Sequence, residues 1–273
     1  MKKFSEISVI MAEYNTNEHD LREAIQSILD QTYRDFEFII IDDHGSNNLI
    51  KIVTTYNDDR IRIIKNPKNM GLVYSLNNGV KHSRGKYIVR MDTDDIALPN
   101  RIEKIYNFII SHPEYDVVGS RAIEFSGNTD YGILGKCGEK TKKSIMRGDT
   151  IIHPSVIIRK KSIADVNYYD DYRRSEDLAL WCKMVLNKKR IFVLDDILLK
   201  YRVNSDNYKK RKLSNRIGEL KVRLYYYPKL HAGPIEYFRI VKSIISGTLP
   251  IKFVQKYRNR FVLQNDLQKE IKK

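Results

Sequence analysis

Cysteine is scarce in this chain: of 273 residues, only Cys137 and Cys182 are cysteines. Two such residues, far apart and without a C-x-x-C spacing, supply neither a disulfide framework nor a thiolate metal site, and a reducing compartment is expected. Long apolar runs are missing too. The N-terminal stretch MKKFSEISVIMAEYN is basic, but Glu13 breaks its short apolar run, which is not the pattern of a signal peptide. Nothing approaches the roughly 20 apolar residues that cross a bilayer. A cytoplasmic location, or attachment to the cytoplasmic face of a membrane, is expected. Glycine-rich phosphate loops are also absent: there is no G-x-x-x-x-G-K-[ST], and no G-x-G-x-x-G after the first apolar run. Any bound phosphate must be neutralised by other means.

What is present is 42% hydrophobic and 10% aromatic residues, enough for a globular core. The formal charge of +15 first suggests nucleic acid or anionic lipid. Its distribution is lopsided. From Lys200 onward 19 Lys/Arg stand against five Asp/Glu, while the first 199 residues hold 30 basic and 29 acidic residues. A near-neutral body with a cationic C-terminal region does not match a nucleic-acid-binding protein, whose basic residues would spread over the body; no nucleic-acid partner is expected.

Apolar segments Ile7–Ala12, Phe36–Ile41, Ile61–Lys65 and Tyr87–Met91 alternate with segments of helical periodicity, 18–31 and 72–81 among them. Continuous apolar strands separated by helices predict an α/β fold, a Rossmann-like, mostly parallel sheet flanked by helices, with ligand-binding loops along one edge. Further along, 117–125 and 155–159 read as strands, 176–186 as an amphipathic helix, and 191–203 as a strand broken at Asp195-Asp196. Beyond Asn207 the pattern turns helical and basic. Three segments are expected: 1–98 and 99–205 as the two halves of a catalytic domain, and 206–273 as a basic helical extension.

Chemistry concentrates at strand ends. Tyr87-Ile-Val-Arg-Met runs directly into Asp92-Thr-Asp-Asp95, and Ile96-Ala-Leu-Pro99 is expected to begin a helix. Three carboxylates among four residues repel one another unless a cation sits among them, and oxygen-rich sites suit Mg²⁺ or Mn²⁺ completed by substrate phosphates. A solvated acidic turn capping the next helix is the plainer alternative. A second pair, Asp42-Asp43, ends the second strand, where it could accept from a base NH or ribose hydroxyls, or cap a helix. Tyr14 ends the first strand, as a stacking ring or a packed one.

Taken together, the chain resembles family 2 of the glycosyltransferases, with the GT-A fold. The resemblance runs from about residue 5 to 205. It rests on Ile7-Ser-Val-Ile-Met-Ala-Glu-Tyr-Asn15, Ser27-Ile-Leu-Asp-Gln-Thr-Tyr33, Phe36-Glu-Phe-Ile-Ile-Ile-Asp-Asp43, Asn69-Met-Gly-Leu72, Gly85–Asp95, Leu98-Pro-Asn-Arg101, Ile152-His-Pro-Ser155 and Ser175-Glu-Asp-Leu-Ala-Leu-Trp181. It implies an inverting, metal-dependent transfer from a nucleoside-diphosphate sugar, most commonly a UDP-sugar, to a glycan or lipid-linked acceptor in cell-surface polysaccharide synthesis. It implies Ala12, Tyr14, Asp43, Asp92 and Thr93 on the donor side and Asp94, with Asp92, at Mn²⁺ or Mg²⁺. Asp177 is implied as the base, and His153, Glu176 and Trp181 as the acceptor side. One departure stands out: His44 intrudes where the family runs Asp-Asp-Gly-Ser. For Asp177 the alternative is an acid at a helix N-terminus; for His153 and Trp181 it is packing in the core. The basic region from 206 is expected to hold an anionic membrane surface, or else to dock as an ordinary helix. A catalytically inactive scaffold of the same fold is the remaining rival. A sugar-phosphate nucleotidylyltransferase would need a glycine-rich N-terminal loop that is missing.

Overall fold

The computed structural model describes residues 5–149, 151–203, 213–238 and 240–241. Its first half runs β1 (Ile7–Glu13), α1 (Glu18–Leu29), β2 (Phe36–Asp42), α2 (Leu49–Thr54), β3 (Ile61–Lys65), α3 (Leu72–His82) and β4 (Tyr87–Met91). These strands pair in parallel in the order β3-β2-β1-β4. The aliphatic run Ile39-Ile40-Ile41 is wholly buried because helices cover both faces. On one face α1 turns in Leu21, Ala24, Ile25, Ile28 and Leu29. On the other, α3 sets Leu76 and Val80 against Ile10. A Cβ at Gly79 would lie 2.6 Å from the Ile10 Cγ2, so glycine is what lets α3 approach this closely.

The second half comprises β5 (Ile96–Ala97), α4 (Arg101–Ser111), β6 (Val117–Ser126), β7 (Thr129–Leu134), β8 (Gly138–Lys140), α5 (Lys142–Met146), a 3₁₀ turn at His153–Ser155, β9 (Ile157–Arg159), α6 (Lys160–Asp165), α7 (Glu176–Leu186), β10 (Ile191–Arg202) and α8 (Leu213–Lys229). The sheet continues β4-β9-β6-β10-β5. In it β9 is antiparallel to β4 and β6, β10 is parallel to β6, and β5 is antiparallel to β10. One sheet therefore joins both expected halves. β10 slips register between Val193 and Ile197, at the predicted break.

Two local expectations are corrected. Ile96-Ala97 does not open a helix: it is a short strand on β10, Leu98 N–H donates to Leu198 O at 3.0 Å, and the helix starts at Arg101. Pro99 disfavours the helical backbone at Leu98, which delays the start. Ser155 lies in the 3₁₀ turn and the strand begins at Ile157.

Of the basic C-terminal region, 206–212 (with Lys209–Lys212) and 242–273 lie outside the described residues. The part that is described is docked. Val222, Tyr226, Tyr227 and Leu230 are buried in the cluster that holds α7. The Tyr227 hydroxyl donates to Met146 O and that of Tyr226 to Asp170, both at 2.9 Å. Among the described residues no helix is long and apolar enough to cross a membrane.

Candidate active site at the ends of the parallel strands

β1, β2 and β4 end side by side, and the loops that follow them are tied together by buried polar groups. Glu13 closes β1 with no exposed surface, and its Oε1 accepts from Thr16 N–H (3.0 Å) and Asn47 Nδ2 (2.9 Å). The hydroxyls of Thr16 and Thr93 meet at 2.7 Å, joining the first loop to the acidic one. Ala12 is partly buried against the core, whereas the Tyr14 ring is 49% exposed and offers a face.

Asp43 is buried and committed to the protein. Its carboxylate accepts from Asn66 Nδ2 (2.7 Å), Met70 N–H (2.8 Å) and Gly71 N–H (2.8 Å). It pins the 69–71 loop ahead of α3, while α2 is capped by Asn48 instead. A ligand at Asp43 would use the lone pairs left over. The residue inserted at His44 is absorbed by a left-handed backbone (φ 58°) that turns the side chain to solvent. Gly45 then passes so near Asn15 that a Cβ would sit 2.7 Å from its nitrogen, and Ser46 N–H donates to Asn15 Oδ1 at 2.6 Å.

The acidic loop is built around two buried arginines. Arg90, on β4, is 4% exposed and paired with Asp92. Burial alone would loosen the proton on Arg90, but the Asp92 charge and their hydrogen bond outweigh it and raise its pKa. Arg101 is wholly buried and donates to Arg90 O at 2.5 Å and to the Met91 sulfur at 3.0 Å. Burial, with Arg90 nearby, brings its pKa down to about 9, so both guanidiniums are charged at neutral pH. Asp92, Thr93 and Asp94 are partly exposed; Asp95 is buried. The Asp95 Oδ1 accepts from Arg202 N–H at 2.9 Å, and its Oδ2 is buried without a partner. Burial, then the charges of Asp92 and Asp94, push the Asp95 pKa well up. Asp94 O accepts from Arg202 Nε at 2.6 Å.

Glu176 and Asp177 open α7, within electrostatic reach of Arg90 and Asp92. Burial, then the Asp177 charge, raises Glu176 to about 7; burial raises Asp177 as well, partly offset by the hydrogen bond that its Oδ1 accepts from Leu178 N–H at 2.7 Å. Both carboxylates feel the Arg90 charge. His153 and Trp181 are 6% and 3% exposed, so both are packed inside the molecule and offer no open face for a sugar. His153 Nε2 meets the Tyr169 hydroxyl at 2.8 Å, and its ring stands edge-on to Trp181 at 5.9 Å. Burial, then Arg90, lowers the His153 pKa well below 6.5 and keeps the ring neutral.

For a divalent cation the donor set is two carboxylates, Asp92 and Asp94, partly exposed on one loop. Among the described residues the only close group of three or more His, Cys, Asp or Glu is His19, Asp20 and Glu23, and Arg202 engages Asp20 (3.3 Å) and Glu23 (2.6 Å). One or two carboxylates completed by phosphate oxygens is how Mg²⁺ and Mn²⁺ are commonly held with a phosphate substrate, and Asp92 with Asp94 fits that pattern.

Sequence reading missed Arg90, Arg101, Arg202 and Glu13. For Arg90 a signal existed, as a charge set within the apolar run Ile88–Met91 two residues before Asp92. Arg202 reaches Asp94 and Asp95 from more than a hundred residues away, which no local pattern marks.

Comparison with known proteins agrees with this arrangement. The family model described as glycosyl transferase family 2 matches residues 8–166. An uncharacterized glycosyltransferase of Methanocaldococcus jannaschii is 35% identical over 82% of this chain and 79% of its own. The putative glycosyltransferase EpsE of Bacillus subtilis is 31% identical over 96% of each chain. An Escherichia coli UDP-Gal:alpha-D-GlcNAc-diphosphoundecaprenol beta-1,3-galactosyltransferase is 30% identical over 90% of this chain and 92% of its own. In fold, the chain is similar to S. aureus TarS 1–349 in complex with UDP-GlcNAc (TM-score 0.62, 21% identity, 82% of this chain and 69% of that one). It is likewise similar to the mannosyltransferase PcManGT of Pyrobaculum calidifontis with GDP-Man and Mn²⁺ (TM-score 0.61, 12% identity, 93% and 79%). With a continuous parallel half-sheet ending in carboxylates, and relatives that match it nearly end to end, the chain belongs to glycosyltransferase family 2 and has the GT-A fold.

Proposed function

We propose that this glycosyltransferase is metal-dependent and inverting, and moves a sugar from a UDP-sugar to a hydroxyl of a glycan or lipid-linked acceptor in cell-surface polysaccharide synthesis. The observation that carries the reading is the placement of two acidic groups around one buried cation: Asp92, on the donor loop, pairs with Arg90, and the α7 carboxylates feel the same charge. The UDP donor is supported by the name of the E. coli relative and by the nucleotide bound in TarS. Tyr14 would stack on the base, with Ala12, Asp43, Asp92 and Thr93 around the nucleoside. Held at Asp94 with Asp92 beside it, Mn²⁺ or Mg²⁺ would supply Lewis-acid neutralisation of charge on the departing diphosphate.

Asp177 takes the proton of the acceptor hydroxyl as that oxygen bonds to the anomeric carbon. The carbon–oxygen bond to the diphosphate breaks, its electron pair leaves with the phosphate, and the configuration inverts. Burial suits Asp177 to this role because a carboxylate with a raised pKa is the stronger base. Neutral His153 and the Tyr169 hydroxyl hold the floor of the acceptor side.

Single-turnover transfer by Asp177→Asn is the direct test. The rate should fall on the order of 10²–10⁴-fold with UDP-sugar affinity unchanged. Near-normal turnover would remove Asp177 as the base. A thermal-shift panel of nucleotide sugars with and without Mn²⁺ tests the donor and the metal together. Equal stabilisation in both arms would end the metal reading.

A further inference from the structure

Strand β4 carries a full charge into the core. Side chains alternate between the faces of a strand, and Arg90 falls on the face of Ile88, which packs with Ile10 in the cluster that holds Ala179, Leu180 and Trp181 of α7. Val89 and Met91 fall on the other face, in the cluster of α1 and α4. The backbone of Arg90 is fixed from two sides: its N–H donates to Val156 O at 3.1 Å, and its carbonyl accepts from Arg101 at 2.5 Å. The side chain, 5% exposed, is anchored through one nitrogen on Asp92, whose own side chain keeps 32% of its surface. Nε and Nη1 are buried with no hydrogen-bond partner among the described residues. A guanidinium ringed by acceptors would be neutralised on the spot. This one, bonded to an acid that water also reaches, keeps positive potential to spare, and burial lets that potential act with little screening.

The potential falls on the first turn of α7. Arg90 favours the charged forms of Glu176 and Asp177, and Asp92 opposes them. From the turn ahead of the helix the two acids meet the Tyr169 hydroxyl, and Glu176 lines a hollow with Asp171, Arg173 and Arg174. The Cys182 thiol, further along α7, is kept neutral by burial. Arg173 and Arg174 are exposed, so among these groups Arg90 is the buried cation. A bound donor diphosphate adds negative charge beside Asp92, and negative charge makes a neighbouring carboxylate hold its proton. A protonated base cannot take the proton of an acceptor hydroxyl.

We propose that Arg90 is a positioning residue for the base: anchored on Asp92, it holds a fixed positive charge inside the fold that keeps the Asp177 carboxylate ionised while the negatively charged donor is bound. The role rests on the glycosyl-transfer reading above and adds to it a buried residue that acts through Asp177.

Carbon-13 NMR of the side-chain carboxyls in the full chain tests it, with the Asp177 signal identified by its loss in Asp177→Asn. The pH midpoint of that signal is read in the free protein with chelator present, and again with saturating UDP and Mg²⁺. Arg90→Gln should raise the midpoint by about one pH unit, a tenfold gain in proton affinity, in the free protein and by at least as much in the complex. Arg90→Lys, which keeps the charge, should leave it within about 0.3 unit of the parent. Arg173→Ala/Arg174→Ala should not move it, and neither should salt between about 0.05 and 1 M, because a buried charge is poorly screened. The salt series needs no variant and decides the matter if Arg90→Gln does not fold: a midpoint that climbs with salt assigns the effect to the exposed arginines. An unchanged midpoint in Arg90→Gln, or an equal rise in Arg90→Lys, would likewise overturn the role. These readouts follow one proton equilibrium and not turnover. Near-normal transfer by Asp177→Asn would instead remove the base itself, and failure of UDP to bind would remove the donor, so the failures are separable.

Discussion

At the scale of single residues, the buried charges carry the most consequence. Arg90 is buried, while the Asp92 side chain keeps 32% of its surface, so removing the arginine breaks the ion pair but leaves Asp92 in reach of water. Arg90→Met should therefore lower stability by about 1–3 kcal/mol, read as a shift in the urea midpoint at constant slope. Arg90→Lys, which keeps the charge, should recover part of that loss. A midpoint unchanged in the methionine variant would mean that the pair is not held in the native state. Glu176 gives a pH signature. Its native pKa of about 7 stands above the ordinary 4.5, so on raising the pH from about 4.5 to 7 the unfolded chain releases this proton first. Its contribution favours the native state below that window and fades across it. Glu176→Gln should thus lose less melting temperature between pH 5 and pH 8 than the parent, measured with chelator present. Parallel curves for the two proteins would contradict the raised pKa.

At the scale of elements, contact distance between helix and sheet decides what the sequence tolerates. Gly79 lies in mid-helix, where alanine would ordinarily gain about 1 kcal/mol. Here the added methyl meets Ile10 at 2.6 Å, and overpacking of this kind costs about 1–3 kcal/mol. Gly79→Ala should be destabilising, and Ile10→Ala in the same chain should relieve part of the clash. A double-mutant cycle by chemical denaturation reads the coupling, and additive effects would show that α3 shifts freely. The same logic explains which elements sequence patterns could find. α7 runs over the expected residues 176–186 because its apolar periodicity and its acidic first turn agree. β5 was missed because two residues carry no period, and the partner that makes them a strand is β10, about a hundred residues on.

For the whole molecule, α8 joins the basic C-terminal region to the catalytic body. Val222 and Tyr227 have no exposed surface, and Tyr226 has 4%. Ending the chain at residue 205 would uncover the apolar surface that they cover on α7. Each fully buried side chain of this size is worth about 1.5–3 kcal/mol, so the truncated protein should melt many degrees lower or fail to fold. Differential scanning calorimetry of the two lengths checks this, and an unchanged transition would make the region an independent appendage. We propose, accordingly, that the division at residue 205 marks a change in composition and not a boundary between folding units.

Much of this protein was legible from local pattern alone. The alternation of apolar strands and periodic helices specified the parallel half-sheet, since burial on both faces demands continuous apolar strands. Carboxylates placed directly after such strands then had to lie at one edge of the sheet. Three matters were decided only by the tertiary structure. Asp43 turned inward to hold the 69–71 loop, His153 and Trp181 were buried in the core, and Arg202 closed onto Asp94 and Asp95 from the far end of β10. The physical reason is common to all three. Strand and helix periods are short-range properties of the chain, whereas the partner of a buried polar group is chosen by where distant segments come to rest.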